Sequence, residues 1–216
     1  MRVTVPTSLK DISLSQYQTY LRELENNKDE SEDYFQIKRL QIFCKLSYAE
    51  VLNIEYGSII EISNKITEVL NSQNDYIERF TIDGINFGWI PKLDDLNYGE
   101  FLDLNNNISD WENMHVAMGV LYRPIIKELQ KKYAIEPYAG EKYHKELKEI
   151  KLDAVVGAMV FFWNLGMDLG IATANYLEVE VNKMPLDQQI ILQRSGVGMQ
   201  QLTTSLKEML QEMKQY

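Results

Sequence analysis

The chain has 216 residues and a formal net charge of −10, with 22 Lys and Arg against 32 Asp and Glu. Neutralising phosphates requires clustered basic residues, so this balance argues against nucleic acid as the main partner. The single cysteine, Cys44, excludes an internal disulfide framework and a zinc site built on several thiolates. With 45% hydrophobic and 25% charged residues, the composition is typical of a globular domain.

Helix-start signals dominate the first 75 residues. Capping boxes of the form Ser-x-x-Glu/Gln begin at Ser13, Ser47 and Ser58, and apolar residues at helical spacing follow each of them. A further apolar stripe runs over residues 34–43. These patterns predict a series of amphipathic helices in the N-terminal third of the chain.

The hydrophobic periodicity changes at residues 79–90. Apolar residues alternate on both sides of Asp83-Gly84, which is the strongest short-range signal for a β-hairpin. Pro91 is expected to end the second strand because it cannot donate a hydrogen bond to a sheet. The acidic, turn-rich residues 92–107 predict a solvated loop with a turn at residues 97–99 and a short helix after it.

Helical spacing returns at a fourth capping box, which begins at Ser109. The apolar residues that follow it are three and four positions apart: Trp111, Met114, Met118, Leu121 and Ile125. This spacing predicts one helix through Ile125 with a kink at Pro124. Residues 135–140 are predicted to form an extended or turn segment.

Residues 154–174 are strongly apolar and contain one charge, Asp168. Their length would permit a bilayer span. However, an ionised Asp near a helix centre costs about 3 kcal/mol in a membrane, and both flanks mix acidic and basic residues. A helix buried in protein and enclosed nearly all round, from about Asp153 to about Leu177, is therefore favoured. Two further helices are predicted, over residues 186–194 and 202–213.

Together these patterns predict a mainly α-helical fold, with one helical domain over residues 1–216 and a small β-hairpin insertion at about residues 79–90. The domain subdivides into N-terminal helices (1–75), the hairpin with the acidic loop (76–108), and C-terminal helices (109–216). The first ten residues lack the pattern of a secretory signal peptide.

No residue pattern indicates a metal site, a cofactor or a catalytic centre. The histidines His115 and His144 lie far apart in the sequence, and Cys44 ends an apolar helix, as a buried structural thiol would. Phosphate-binding and dinucleotide-binding motifs are missing from the sequence. The alternative from the enzyme class is a small carboxylate-dependent hydrolase that uses acidic-loop residues: Asp94, Asp95 and Asp103.

Two features favour an interaction protein. The apolar helix combines an aromatic block with small residues four positions apart, which allow another backbone to approach closely. Its partner is either a helix of the same chain or a neighbouring subunit. Arg123, beside Pro124, is either a surface ion pair of little energetic value or an anchor for an acidic loop or partner. The candidate interface residues are Trp89, Arg123, Tyr138, Phe161, Phe162, Trp163, Gly166 and Gly170.

Several short motifs also resemble a group of small proteins encoded in the structural modules of tailed phages, which includes tail assembly chaperones and virion proteins. The resemblance extends to about Gly170 and rests on these segments: residues 3–9, residues 14–21, Gly88-Trp89-Ile90-Pro91, Tyr122-Arg123-Pro124-Ile125, residues 133–138 and residues 161–166. It implies a role in building a phage particle and supplies no catalytic residues.

The combined expectation is a non-enzymatic phage structural protein that works through protein–protein contacts. It would be a neck or tail ring subunit, located in the virion and assembled in the host cytoplasm, with other virion or tail proteins and further copies of itself as partners. Neither nucleic acid nor a membrane is expected as the main partner. The alternative is a tail assembly chaperone that is absent from the mature virion.

Overall fold

The structure, a computed structural model, describes residues 3–72, 74–130 and 132–186. The chain divides into two compact units, residues 1–159 and residues 160–216. The predicted helix over residues 202–213 lies outside the described residues, as does the one over residues 186–194 apart from its first residue.

The described residues contain eight α-helices and four β-strands, joined by turns and three short 3-10 helices. The helices are α1 (Leu14–Asn26), α2 (Glu32–Phe43), α3 (Tyr48–Val51), α4 (Tyr56–Leu70), α5 (Tyr98–Asn107), α6 (Met114–Leu121), α7 (His144–Leu147) and α8 (Leu152–Lys183). The strands are β1 (Arg79–Ile82), β2 (Ile85–Trp89), β3 (Tyr122–Leu129) and β4 (Lys132–Ile135).

The predicted fold class is wrong, because the protein has a mixed fold of helices and a four-stranded sheet. All neighbouring strands are antiparallel, in the order β1-β2-β3-β4. The predicted hairpin is confirmed as β1 and β2, with Asp83 and Gly84 both at positive φ (48° and 80°), as a two-residue type I′ turn requires. The prediction fails after the hairpin, where the chain forms two further strands, β3 and β4.

The predicted helix from Ser109 through Ile125 is wrong in its second half. α6 ends at Leu121, and the chain continues directly as β3. Strand β2 pairs with Tyr122–Pro124, whereas β4 pairs with Ile125 and the residues after it. Pro124, which has no N–H, therefore sits where β3 changes neighbours, so its effect on sheet hydrogen bonding is small.

Strand β4 is not predicted by the sequence patterns, since the extended or turn segment expected at residues 135–140 shares only Ile135 with it. It is short, and it pairs with the exposed end of β3 through a register shift between Ile125 and Lys127. Tyr133 secures it by donating a hydrogen bond from its hydroxyl to the carbonyl oxygen of Trp89 at 2.8 Å. Charged side chains on this exposed pair of strands hide the alternation by which a strand is recognised in a sequence.

The capping predictions divide evenly. The boxes at Ser13 and Ser47 are confirmed, and each pairs with the side chain three residues later. Those at Ser58 and Ser109 are wrong, because α4 begins at Tyr56 and α6 at Met114. The short helix expected after the turn at residues 97–99 is confirmed as α5, although it begins within that turn, with Asn97 as its N-cap.

The start of α8 is fixed inside the first unit. The N–H of Leu152 donates to the carbonyl of Ile12, and the N–H of Leu14 donates to the carbonyl of Ile150, both at 2.9 Å. The first turns of α8 are fully buried along one side at Leu152, Ala154, Val155 and Ala158. Gly157 lies so close to the chain before β1 that an added Cβ would be 2.5 Å from the carbonyl oxygen of Asp75.

We expect Gly157→Ala to lower the free energy of unfolding by about 1–3 kcal/mol, because backbone must move to admit the methyl group. Gly57→Ala, in α4, is the matched control, since nothing lies within 4 Å of its added Cβ. The control should be neutral or stabilising by up to about 1 kcal/mol, because Ala favours helix over Gly. Urea denaturation of both variants measures the difference, and equal effects would contradict the described contact.

Candidate protein-interaction surface

Helix α8 has one buried and one exposed side in the second unit. Met167 and Ala174 are 3% and 0% exposed. They are seven residues apart, so they lie on the same side of the helix, two turns apart. The side chains on the opposite side are largely exposed to solvent.

The exposed side carries a regular apolar stripe, which we call the seam. Its members follow one another at alternating intervals of three and four residues: Phe162, Leu165, Leu169, Ala172, Tyr176 and Val179. Phe162 is half-buried and the other five are exposed, with 60% exposure at Leu169 and 64% at Tyr176. This spacing is that of the a and d positions of a heptad repeat, by which helices pack against one another.

The described residues do not enclose the second half of α8 all round, so the enclosure that the sequence predicts would require a further partner there. Of the predicted interface residues on α8, Phe161 and Phe162 are half-buried and pack edge to face, with ring centroids 5.5 Å apart. Trp163 is exposed, and Gly166 faces open space. Gly170 is half-buried. The sequence indicates the two glycines as contact points, whereas the exposed apolar side chains beside them form the larger surface.

Length and composition also make α8 a candidate membrane span. Within the described residues, it is the one helix that is long and apolar enough, over the 25 residues of Leu152–Tyr176. The mean hydropathy of its most apolar window is 1.6, and 28% of that window is buried. The exposed seam is therefore a surface that either a protein partner or lipid could cover.

Arg123 and Tyr138 belong to a buried polar cluster between β3 and α5. The guanidinium Nη2 of Arg123 lies 2.8 Å from Oε1 of Glu100, and both side chains are more than nine-tenths buried. The ring of Tyr138 lies 5.7 Å from the guanidinium, and its hydroxyl donates to Asp103 at 2.8 Å. A small cleft of about 250 Å³ opens beside the ion pair. Arg123 in β3 thus anchors α5, which lies in the acidic segment 92–107, to the sheet.

Trp89 lies inside the first unit. It packs edge to face on Tyr76 and Tyr122, with ring centroids 5.0 Å away in each case. Burial raises the pKa of both tyrosines well above the ordinary value. The hydroxyl of Tyr122 donates to the carbonyl of Ile77 at 2.7 Å. The structure therefore places Trp89 in the internal packing of the first unit.

The structure brings together two histidines that the sequence separates. The rings of His115 in α6 and His144 in α7 are perpendicular, with centroids 5.3 Å apart. His115 Nδ1 and His144 Nε2 are buried without a hydrogen-bond partner among the described residues. Nothing in the spacing of the two residues predicts this pair, because it depends on how α7 packs on α6. Within the described residues, no group of three or more potential ligands could hold a metal ion.

The remaining reactive side chains lie in separate places. Asp94 and Asp95 are exposed on a 3-10 turn, whereas Asp103 accepts the hydrogen bond from Tyr138. Cys44 is buried, and burial raises the pKa of its thiol to about 11, so it is protonated at neutral pH. The arrangement offers a surface for packing more than a centre for proton transfer.

The buried ion pair gives a stability prediction. Glu100→Gln keeps the capping contact to Asn97 N–H but removes the charge facing Arg123, so we expect a loss of about 3–5 kcal/mol in unfolding free energy. Glu112→Gln is the matched control, because its pair with Arg22 is more than half exposed and is worth about 1 kcal/mol or less. Similar losses in the two variants, measured by urea denaturation, would contradict the burial of the Arg123 pair.

The histidine pair gives a pH prediction. Burial, followed by Lys148 and His144, lowers the pKa of His115 below its ordinary value of 6.5, although Glu112 opposes the shift. The unfolded chain therefore takes up this proton more readily, so the unfolding free energy should fall as the pH is lowered from about 7 to about 5. His115→Gln should make that fall smaller. An unchanged pH dependence in the variant would contradict the assignment.

Comparisons with protein families, curated proteins and solved structures found no match.

Proposed function

We propose that the chain is a non-enzymatic assembly protein that works through protein–protein contacts made by the seam of α8. One observation carries this proposal: the helix buries Met167 and Ala174 on one side and exposes a continuous apolar stripe on the other. A continuous row of exposed apolar side chains, as opposed to single scattered ones, is typical of an interaction site.

A protein partner suits the surface of α8 better than a membrane does. Asp168 and Asn164 are exposed near the middle of the apolar stretch. Placing an ionised Asp at that depth in a bilayer costs about 3 kcal/mol, whereas beside a helix partner it can remain at the polar rim. The heptad spacing of the seam also fits a helical partner, and lipid chains would not require it.

The charge of the chain fits an assembly role. A net charge of −10 favours the solubility of free subunits whose apolar surface is still exposed to solvent. The buried aromatic and ionic contacts around Trp89 and Arg123 give the first unit a fixed interior. A packed first unit and a helix with an exposed apolar stripe in the same chain suit a building block.

The resemblance to proteins of tailed-phage structural modules gives this role its narrower form. We propose a virion component of the neck or tail ring type, which stays in the particle in several copies. A tail assembly chaperone would use the same surface to shield a tail protein and would then leave. The two roles differ in one measurable respect, which is whether the protein is present in finished particles.

Quantitative mass spectrometry of particles purified from a phage that encodes this chain tests the proposal. We expect its peptides at a fixed copy number relative to the major tail protein. Leu169→Glu, which puts a charge in the seam, should reduce the yield of complete particles. Trp163→Glu, on the same helix but outside the seam, is the matched control and should not. Absence from washed particles would contradict the virion role and favour the chaperone.

A further inference from the structure

Large and small side chains are unevenly distributed along the seam. The a positions hold Phe162, Leu169 and Tyr176, and the d positions hold Leu165, Ala172 and Val179. Each a position is thus at least as large as the d position that follows it, and the smallest residue of all, Ala172, lies near the middle. Because helix interfaces pack at the density of protein interiors, such a pattern limits which second helix can fit.

A second copy of the same helix, laid antiparallel, complements this distribution. In an antiparallel pair, a positions face d positions. One register places Phe162 against Val179, Tyr176 against Leu165, and Leu169 against Ala172, so every layer combines a larger and a smaller side chain. In a parallel pair each residue faces its own copy. Ala172 would then leave a gap next to a crowded Tyr176 layer.

The polar residues beside the seam agree with the same register. It places Asp168 of one copy next to Asn175 of the other, and Gly166 next to Thr173, twice each by two-fold symmetry. Sliding the pair by one heptad in one direction would instead bring the two Asp168 carboxylates together, and like charges at an interface are unfavourable. The self-complementary register is thus also the one that keeps the acidic groups apart.

We propose that two copies of this chain pair through an antiparallel packing of their α8 seams, centred between Leu169 and Ala172. The proposal rests on the proposed function, because it names a second copy as the first partner of that surface. It also explains why the seam is apolar over about five turns while the flanking positions Gly166, Asp168, Thr173 and Asn175 are polar or small. The resulting two-fold unit is the assembly block.

Cysteine cross-linking tests the orientation of the pair. Leu165→Cys and Tyr176→Cys are each made in a Cys44→Ala background, which removes the native thiol. Mixing the two variants under mild oxidation should give disulfide-linked dimers, because the two positions face each other in the antiparallel register. Each variant alone should not cross-link, since its two copies would be about 16 Å apart along the helix. Cross-linking of either variant alone would overturn the antiparallel pairing.

Sedimentation velocity without detergent tests the pairing itself. The wild-type chain should sediment at twice its own mass, Leu169→Glu at the monomer mass, and Trp163→Glu as the wild type. Circular dichroism confirms that the variants retain their helices. A monomeric wild type overturns the pairing, and so does a protein that only detergent releases from the membrane fraction. The particle measurement is separate: a monomer found in particles at fixed copy number would leave the proposed function intact.

Discussion

The structure depends on a single long helix that is strongly apolar but, among the described residues, is buried on all sides along only part of its length. The first turns of α8 are buried in the first unit, where the N-terminal segment is hydrogen-bonded to the residues at its start. From Val160 onward only one side is buried. An amphipathic helix places its apolar stripe against something. The uncovered stripe is therefore the main physical constraint on what the protein does.

Around Arg123 and Trp89 the first unit pairs its own polar and aromatic side chains, so these residues offer little as a site. Arg123 is paired with Glu100, and Tyr138 packs over it while bonding Asp103. These contacts join α5 to β3 and close a gap between helix and sheet. Arginine and aromatic residues are enriched at interfaces because they combine charge or large contact area with hydrogen bonding. In this protein Arg123 and Tyr138 use these properties for internal packing.

Sequence patterns predicted the parts of the fold that local chemistry decides. The hairpin follows from Asp83-Gly84, and α1 from the capping box at Ser13. Strand β3 was missed because Leu121 and Ile125 keep helical spacing across the point where helix changes to strand. The pairing of β3 with β2 across residues 90–121 decides that change, and no local pattern reports it.

The candidate surface was only partly predictable. The three-and-four spacing from Phe162 to Val179 is present in the sequence, but the predicted interface rests on the aromatic block and the glycines instead. Which side of an apolar helix its own chain covers depends on tertiary packing, so the exposure of Leu169 and the burial of Met167 required the structure. The Arg123–Glu100 pair likewise joins residues from separate elements.

Hydroxyl-radical footprinting of the chain, free and assembled, tests the central claim most directly. If a protein partner covers the seam, Leu169 and Tyr176 should lose reactivity on assembly, while Trp163 on the same helix should keep it. Equal reactivity of Tyr176 in the free and assembled states would contradict the account, because the exposed stripe of α8 would then have no part in assembly.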